Sequence, residues 1–131
     1  MKIVLLGTGG YHPSELRHTA CMMIPSEGII LDAGTAMFRV RDWIETESLD
    51  ILLTHAHLDH IVGLTFMFDV LYKKDVSQVT AYGEPAKLAA IQEHLFADDV
   101  FPVAPPITFS PLAALPTLGS DCQVTLSLIH I

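Results

Sequence analysis

Three features of this 131-residue chain predict an α/β fold. Short apolar runs ending in glycine or acidic turn residues alternate with longer stretches of helical spacing, the pattern of strands joined through helices. Half of the residues are apolar, enough at this length for one domain to bury a core. The densest cluster of polar chemistry, Thr54-His55-Ala56-His57-Leu58-Asp59-His60, lies between the apolar run Ile51-Leu52-Leu53 and an apolar helix candidate. A strand-to-helix junction is where α/β folds carry their sites.

Taken in order, Lys2–Leu6 reads as a buried first strand, followed by Gly7-Thr8-Gly9-Gly10. That loop is neither a dinucleotide nor a Walker fingerprint, and is expected to be a tight turn needing positive φ. Ala20–Ile24 and Gly28–Leu31 form a predicted hairpin through Pro25-Ser26-Glu27. Asp32-Ala33-Gly34-Thr35 then turns the chain into a helix to which Phe38, Val40, Trp43 and Ile44 bring apolar contacts. A second strand region spans Asp50–Thr54. Ile61–Tyr72 is apolar on nearly every side, and such a helix is buried all round or packs under a further layer. Gln78–Tyr82 suits a strand. Gly83-Glu84-Pro85 opens a helix with Pro in its first turn, Leu88, Ile91 and Leu95 facing inward, and His94 in solvent. Val100–Pro116 holds five prolines and reads as an irregular connection, after which Gln123–Ile131 is strand-like. Residues 1–131 show no repeat and no boundary, so a single domain is expected.

The H-x-H-x-D-H string packs three imidazoles and a carboxylate into six residues. Imidazole nitrogen and carboxylate oxygen bind Zn²⁺ and neighbouring first-row metals at ~2.0–2.2 Å. His55 and His57, two apart at the end of a strand, can point the same way. Asp59 and His60 fall at the following turn, displaced from the first pair. One short loop can therefore offer two ligands to each of two metals, and metals ~3.5–4 Å apart can clamp both oxygens of a hydrolytic displacement. A lone histidine or an aspartate N-cap would need no such explanation. Four ligand types at this spacing point to metal.

The H-x-H-x-D-H string resembles the signature of the metallo-β-lactamase superfamily of dinuclear metal hydrolases. L-G-T-G-G-x-x-P-x-x-x-R, from Leu6 to Arg17, is similar to the amino-terminal signature of its ribonuclease Z-like and phosphodiesterase branch, where this loop approaches the metals and His12 would line the mouth. L-D-A-G at Leu31–Gly34 also resembles the superfamily and implies a supporting role for Asp32 behind the ligands. The resemblance implies the amino-terminal half of an αββα sandwich, with 1–131 a carboxy-terminally truncated domain. His55 and His57 would hold one metal and Asp59 and His60 the other, with Asp59 also the catalytic proton acceptor for a metal-bridged hydroxide. The cofactor implied is Zn²⁺, two per complete site, with Mn²⁺ or Fe as alternatives. Further ligands come from the other half in such proteins. Here His130 is the one candidate for a downstream histidine, within a terminal Ser127–Ile131 string that resembles translated adapter sequence.

The implied activity is phosphodiester hydrolysis. Carboxylic ester, lactone or thioester hydrolysis is the alternative on the same ligands, and an inert metal-binding fragment is the non-enzymatic one. Ribonuclease Z has Gly where this chain has Leu58, and the formal charge of −8 disfavours a broad nucleic-acid surface, so a small anionic phosphodiester is expected before tRNA. No apolar run approaches the ~20 residues needed to span a bilayer. Without a signal-peptide pattern, and with Cys21 and Cys122 read as reduced packing residues, the cytoplasm is expected. Half a sandwich would leave apolar surface exposed, so the isolated chain is expected to lack turnover and to self-associate, in the simplest case as a homodimer.

Overall fold

The computed structural model describes residues 1–114 and Val124. Six strands form one mixed sheet in which spatial order equals chain order. β1 (Val4–Gly7), β2 (Cys21–Ile24) and β3 (Ile29–Leu31) pair antiparallel. β4 (Ser48–Leu52), β5 (Gln78–Gly83) and β6 (Thr108–Pro111) add in parallel. The three-residue turn Pro25–Glu27 suffices for the antiparallel hairpin. The parallel pairs need longer crossovers, and helical segments provide them.

The pleat decides what each strand residue meets. Met23, Ile30, Leu49, Ile51, Leu53, Val79 and Ala81 turn to one face, where Met37 and Val40 of the 3₁₀ helix Thr35–Trp43 pack with Leu64, Met67, Leu88 and Ile91. Ile29, Leu52 and Tyr82 lie on the opposite face in a small second cluster beside Leu31 and Leu112. Among the described residues the architecture is thus one sheet with helices on one face. The predicted Gln123–Ile131 strand, except Val124, and His130 lie outside them.

Two expectations are corrected. Ile61–Tyr72 is not one helix but α1 (Leu58–Ile61), a 3₁₀ turn (Val62–Phe66) and α2 (Met67–Val70). The Gly63 N–H donates to the carbonyl of Ala33 at 2.7 Å instead of to Asp59 four residues back. The Asp59 carbonyl in turn accepts from Thr19 Oγ1 at 2.7 Å. A side chain at Gly63 would run into the Ala33 carbonyl and the Met37 Cβ, so the break is built by packing. Nor is the segment buried all round, because Phe68 and Tyr72 are half exposed. Secondly, the proline-rich connection contains β6. Its residues pair parallel to Thr80–Gly83 at the edge of the sheet that the described residues form, and an edge strand is one of the places where proline costs no ladder bond. Periodicity could not show a four-residue strand bracketed by prolines.

The glycine loop departs in a smaller way. Gly7, Gly9 and Gly10 have ordinary φ, and it is Tyr11 that adopts φ 67°. Gly7 is required for close approach, since a Cβ there would meet the Thr19 carbonyl and Ala36. After β5, α3 (Pro85–Ala90) runs into a π-helical turn, Ile91–Leu95.

Candidate metal centre

Because β3 and β4 are parallel neighbours, their carboxyl ends lie side by side, and the chain leaving each builds the site. Asp32 follows β3, and Thr54–His60 follow β4. Asp32 is buried and takes φ 56°, a left-handed conformation uncommon for a side-chain-bearing residue and of the kind that clusters at functional sites. Its N–H stays tied to the Leu52 carbonyl at 3.0 Å while Ala33 N–H donates to the His60 carbonyl at 2.8 Å. Gly34 completes the turn. A Cβ there would collide with the carbonyls of Asp59 and Ala20 and with Thr19 Oγ1.

The Asp32 carboxylate organises the loop. Oδ1 accepts the Thr54 backbone N–H at 2.8 Å, and the Thr54 hydroxyl donates to both oxygens at 3.0 and 2.8 Å. Oδ2 also accepts from His60 Nδ1 at 2.9 Å. With its one proton committed to Asp32, the Thr54 hydroxyl is an acceptor for His55 Nδ1 at 2.9 Å. Both imidazoles are therefore assigned the tautomer with a proton on Nδ1 and a lone pair on Nε2, the arrangement that outer partners impose on metal-binding histidines.

Asp59 sits at the first turn of α1. Its Oδ2 lies 3.4 Å from His60 Nε2. Two donors bonded at ~2.0–2.2 Å to one tetrahedral ion stand roughly 3.4 Å apart, so this pair fits a shared ligand. The same Oδ2 accepts the Tyr11 N–H at 2.7 Å. That bond is the main cause holding the Asp59 carboxyl below the usual carboxylate range, opposed by desolvation and helped by His60. The His55 ring packs on His57 and His60 with centroids 4.4 and 4.1 Å apart. Desolvation first, then the two neighbouring imidazoles, push its pKa down. That direction favours the neutral ring, the form in which histidine binds a metal.

The structure thus brings His55, His57, Asp59 and His60 into one cluster at the carboxyl end of β4. Among the described residues no three acidic, histidine or cysteine side chains already converge on one point. His57 meets the His55 ring edge-on, at an interplanar angle of 80°, and His60 is tilted to it by 50°, so a common centre requires side-chain rotation. His12 Nδ1 is 2.9 Å from the Pro13 carbonyl, and the neighbouring Tyr11 amide makes the contact to Asp59. Asp32 stands behind the histidines as the L-D-A-G string implied. Thr54, Thr19 and the Tyr11 amide were missed. Thr54 precedes the motif directly and could have been suspected, but the others act from more than 30 residues away.

The chain is similar to known proteins in sequence and in fold. Residues 27–112 match the family of class-II cAMP phosphodiesterases. The chain is 36% identical over 92 residues to ribonuclease Z of Bradyrhizobium diazoefficiens, covering 66% of this chain and 31% of that protein. It is 37% identical over 54 residues to 3',5'-cyclic-nucleotide phosphodiesterase 1 of Saccharomyces cerevisiae, covering 40% of this chain and 15% of that one. The structure is similar to Zn²⁺-bound PqqB from Methylobacterium extorquens with a TM-score of 0.55 and 18% identity, over 83% of this chain and 45% of that chain. At that identity the likeness is one of fold. The chain spans about a third or less of the length of these two curated relatives.

Proposed function

We propose that this chain, which belongs to the class-II cAMP phosphodiesterase family and has the metallo-β-lactamase fold, carries metal-ligating side chains of a phosphodiester hydrolase. One observation supports the reading most. Asp32 and Thr54 engage Nδ1 of His60 and His55, which leaves Nε2 of each ring for an ion, and Asp59 Oδ2 lies 3.4 Å from His60 Nε2. His55 and His57 would hold one divalent ion and Asp59 with His60 a second. When bound, two such ions, zinc or else manganese or iron, supply Lewis acidity that activates water and offsets charge on the phosphate.

The chain's own residues do the rest. Asp59, whose carboxyl the Tyr11 bond holds below the usual carboxylate range, would orient the attacking water and accept its proton. Asp32 holds the His60 ring, and Thr54 the His55 ring, at fixed tautomers. With seven Lys plus Arg against fifteen Asp plus Glu, small phosphodiesters fit better than tRNA. No helix among the described residues is long and apolar enough to cross a membrane, and we place the protein in the cytoplasm. Half-exposed Phe68 and Tyr72 are where the expected homodimer would form, a point sedimentation would read.

The experiment is hydrolysis of bis-p-nitrophenyl phosphate, a cyclic nucleotide and a thioester by protein expressed from the native gene. Phosphodiester turnover restored by Zn²⁺ or Mn²⁺ after chelation, and lost in Asp59→Ala, is the expected result. Turnover confined to the thioester would replace this reading with acyl hydrolysis.

A further inference from the structure

Thr19 is fully buried at the end of the glycine-loop segment, just before β2. Its Oγ1 donates to the Asp59 carbonyl at 2.7 Å and accepts the Thr35 N–H at 2.7 Å. A hydroxyl has one proton to give, so the longer 3.3 Å contact to Thr35 Oγ1 is secondary. Thr35 Oγ1 in turn accepts the Thr19 N–H at 2.9 Å and lies 3.1 Å from His18 Nδ1. Thr35 opens the 3₁₀ helix Thr35–Trp43, and the first N–H of a helix has no partner inside it. Thr19 supplies that partner and spends its proton on Asp59.

The Asp59 carbonyl needs such a donor. Its usual helical partner, the Gly63 N–H, is turned to the Ala33 carbonyl. Gly34 leaves room for the replacement, since a Cβ there would collide with both the Asp59 carbonyl and Thr19 Oγ1. Tyr11, from the same glycine-loop segment, holds the Asp59 carboxylate at Oδ2. One stretch of chain therefore grips Asp59 at its backbone and at its side chain. The carbonyl taken by Thr19 belongs to the peptide joining Asp59 to His60, the pair whose Oδ2 and Nε2 lie 3.4 Å apart.

From this geometry we infer that Thr19 is a positioning residue, whose hydroxyl fixes the Asp59–His60 peptide and so sets where the Asp59 carboxylate stands against His60 and the Tyr11 amide. The inference rests on the metal-ligand reading and deepens it. A peptide that loses its only hydrogen bond can turn about its flanking torsions, and both donors turn with it. With Thr19 on the carbonyl, Tyr11 on Oδ2 and Asp32 on His60 Nδ1, the spacing of this pair is set before an ion arrives, as a preorganised site requires. Thr19 is buried and acts only through Asp59 and His60.

The Tyr11 amide reports the arrangement without metal. Thr19→Val keeps the volume and removes the hydroxyl, whereas Thr19→Ser keeps the hydroxyl and removes a methyl. In the metal-free, ¹⁵N-labelled chain, Thr19→Val is expected to move the Tyr11 amide proton upfield as its bond to Asp59 loosens, with the Ile51 and Val79 amides of the sheet unmoved. Thr19→Ser should leave Tyr11 at its wild-type position. Zinc binding, read by calorimetry, should weaken about tenfold in Thr19→Val, the lower end of what losing an outer partner costs, and recover in Thr19→Ser. A role in packing alone would reverse this order, because only serine leaves a cavity. An unmoved Tyr11 amide or an unchanged zinc affinity in folded Thr19→Val overturns the inference. A displaced Tyr11 amide in Thr19→Ser overturns it too, and decides the matter should the valine variant not fold. The two readings fail separately. A wild-type chain that binds no zinc sinks the metal reading while the Tyr11 shifts still judge Thr19, whereas zinc binding with an unmoved Tyr11 amide in Thr19→Val sinks Thr19 alone.

Discussion

Tyr11 reaches across 48 residues to Asp59, its backbone N–H donating to Oδ2 at 2.7 Å from a left-handed φ of 67°. The carboxylate so held has a depressed pKa, with this bond as the largest cause. A group whose pKa is lower folded than unfolded adds stability above its unfolded pKa, and loses it as pH falls through the folded one. In metal-free protein, urea denaturation across the acidic range should show a component lost on acidification. Asp59→Asn should lack it. Parallel pH profiles for the two proteins would mean that the Tyr11 bond contributes nothing to the folded state.

Asp32 should matter for stability and for tautomers alike. Asp32→Ala removes the acceptor of the Thr54 N–H and hydroxyl and of His60 Nδ1. Leaving partly buried donors unpaired costs about 1–3 kcal/mol, to be measured by equilibrium unfolding. A structural role alone would stop there. The geometry further requires that the His60 ring lose its tautomer preference, which ¹⁵N imidazole shifts report. An unchanged tautomer in Asp32→Ala would show that Asp32 does not set the ring.

Gly63→Ala should destabilise by about 1–3 kcal/mol through overpacking, because its Cβ would run into the Met37 Cβ and the carbonyls of Gly34 and Ala33. Gly10→Ala, which meets nothing within 4 Å, should stay within about 0.5 kcal/mol of wild type. Equal thermal midpoints for both variants would refute the packing account of the helix break.

The same glycine shows how far the sequence could be read. The strand segments through β5, the hairpin at Pro25–Glu27 and the metal loop were legible, since apolar runs, turn residues and ligand spacing are local signals, whereas the pairing of strands in the sheet was not. The break at Gly63 was not, because it depends on Ala33 and Met37, some 30 residues earlier, approaching the backbone. β6 was hidden by flanking prolines, although only its place at the edge makes them tolerable. Of the site, the ligand candidates could be read from the motif. The Tyr11 amide could not, because a backbone donor leaves no residue-type signature.

Cys21 is 1% exposed, and burial with the nearby Asp32 charge pushes its thiol up to about 12. The thiolate is the reactive species. In a Cys122→Ser background, an aromatic disulfide reagent at about pH 8 should leave Cys21 unlabelled in the native protein, then react fully in denaturant. Prompt native labelling would show that the core around β2 opens readily.

The final prediction concerns metal affinity and turnover by the 131-residue chain alone. Four donors, His55, His57, Asp59 and His60, shared between two ions give two protein ligands to each, where catalytic zinc typically has three. Because no three ligand side chains among the described residues yet converge, the imidazoles must also rotate to meet an ion, which costs some binding energy. Zinc titration by calorimetry should therefore show weak but real binding. His57→Ala should reduce it, since one of two ligands to the first ion is lost, and Asp59→Ala should reduce it at the other position. With extra waters and loosely fixed geometry at each ion, the attacking water would be poorly oriented. Hydrolysis of bis-p-nitrophenyl phosphate by this polypeptide should then remain at background with Zn²⁺ or Mn²⁺. Metal-dependent turnover that disappears in Asp59→Ala would show that these four residues suffice and that the two-ligand argument is wrong.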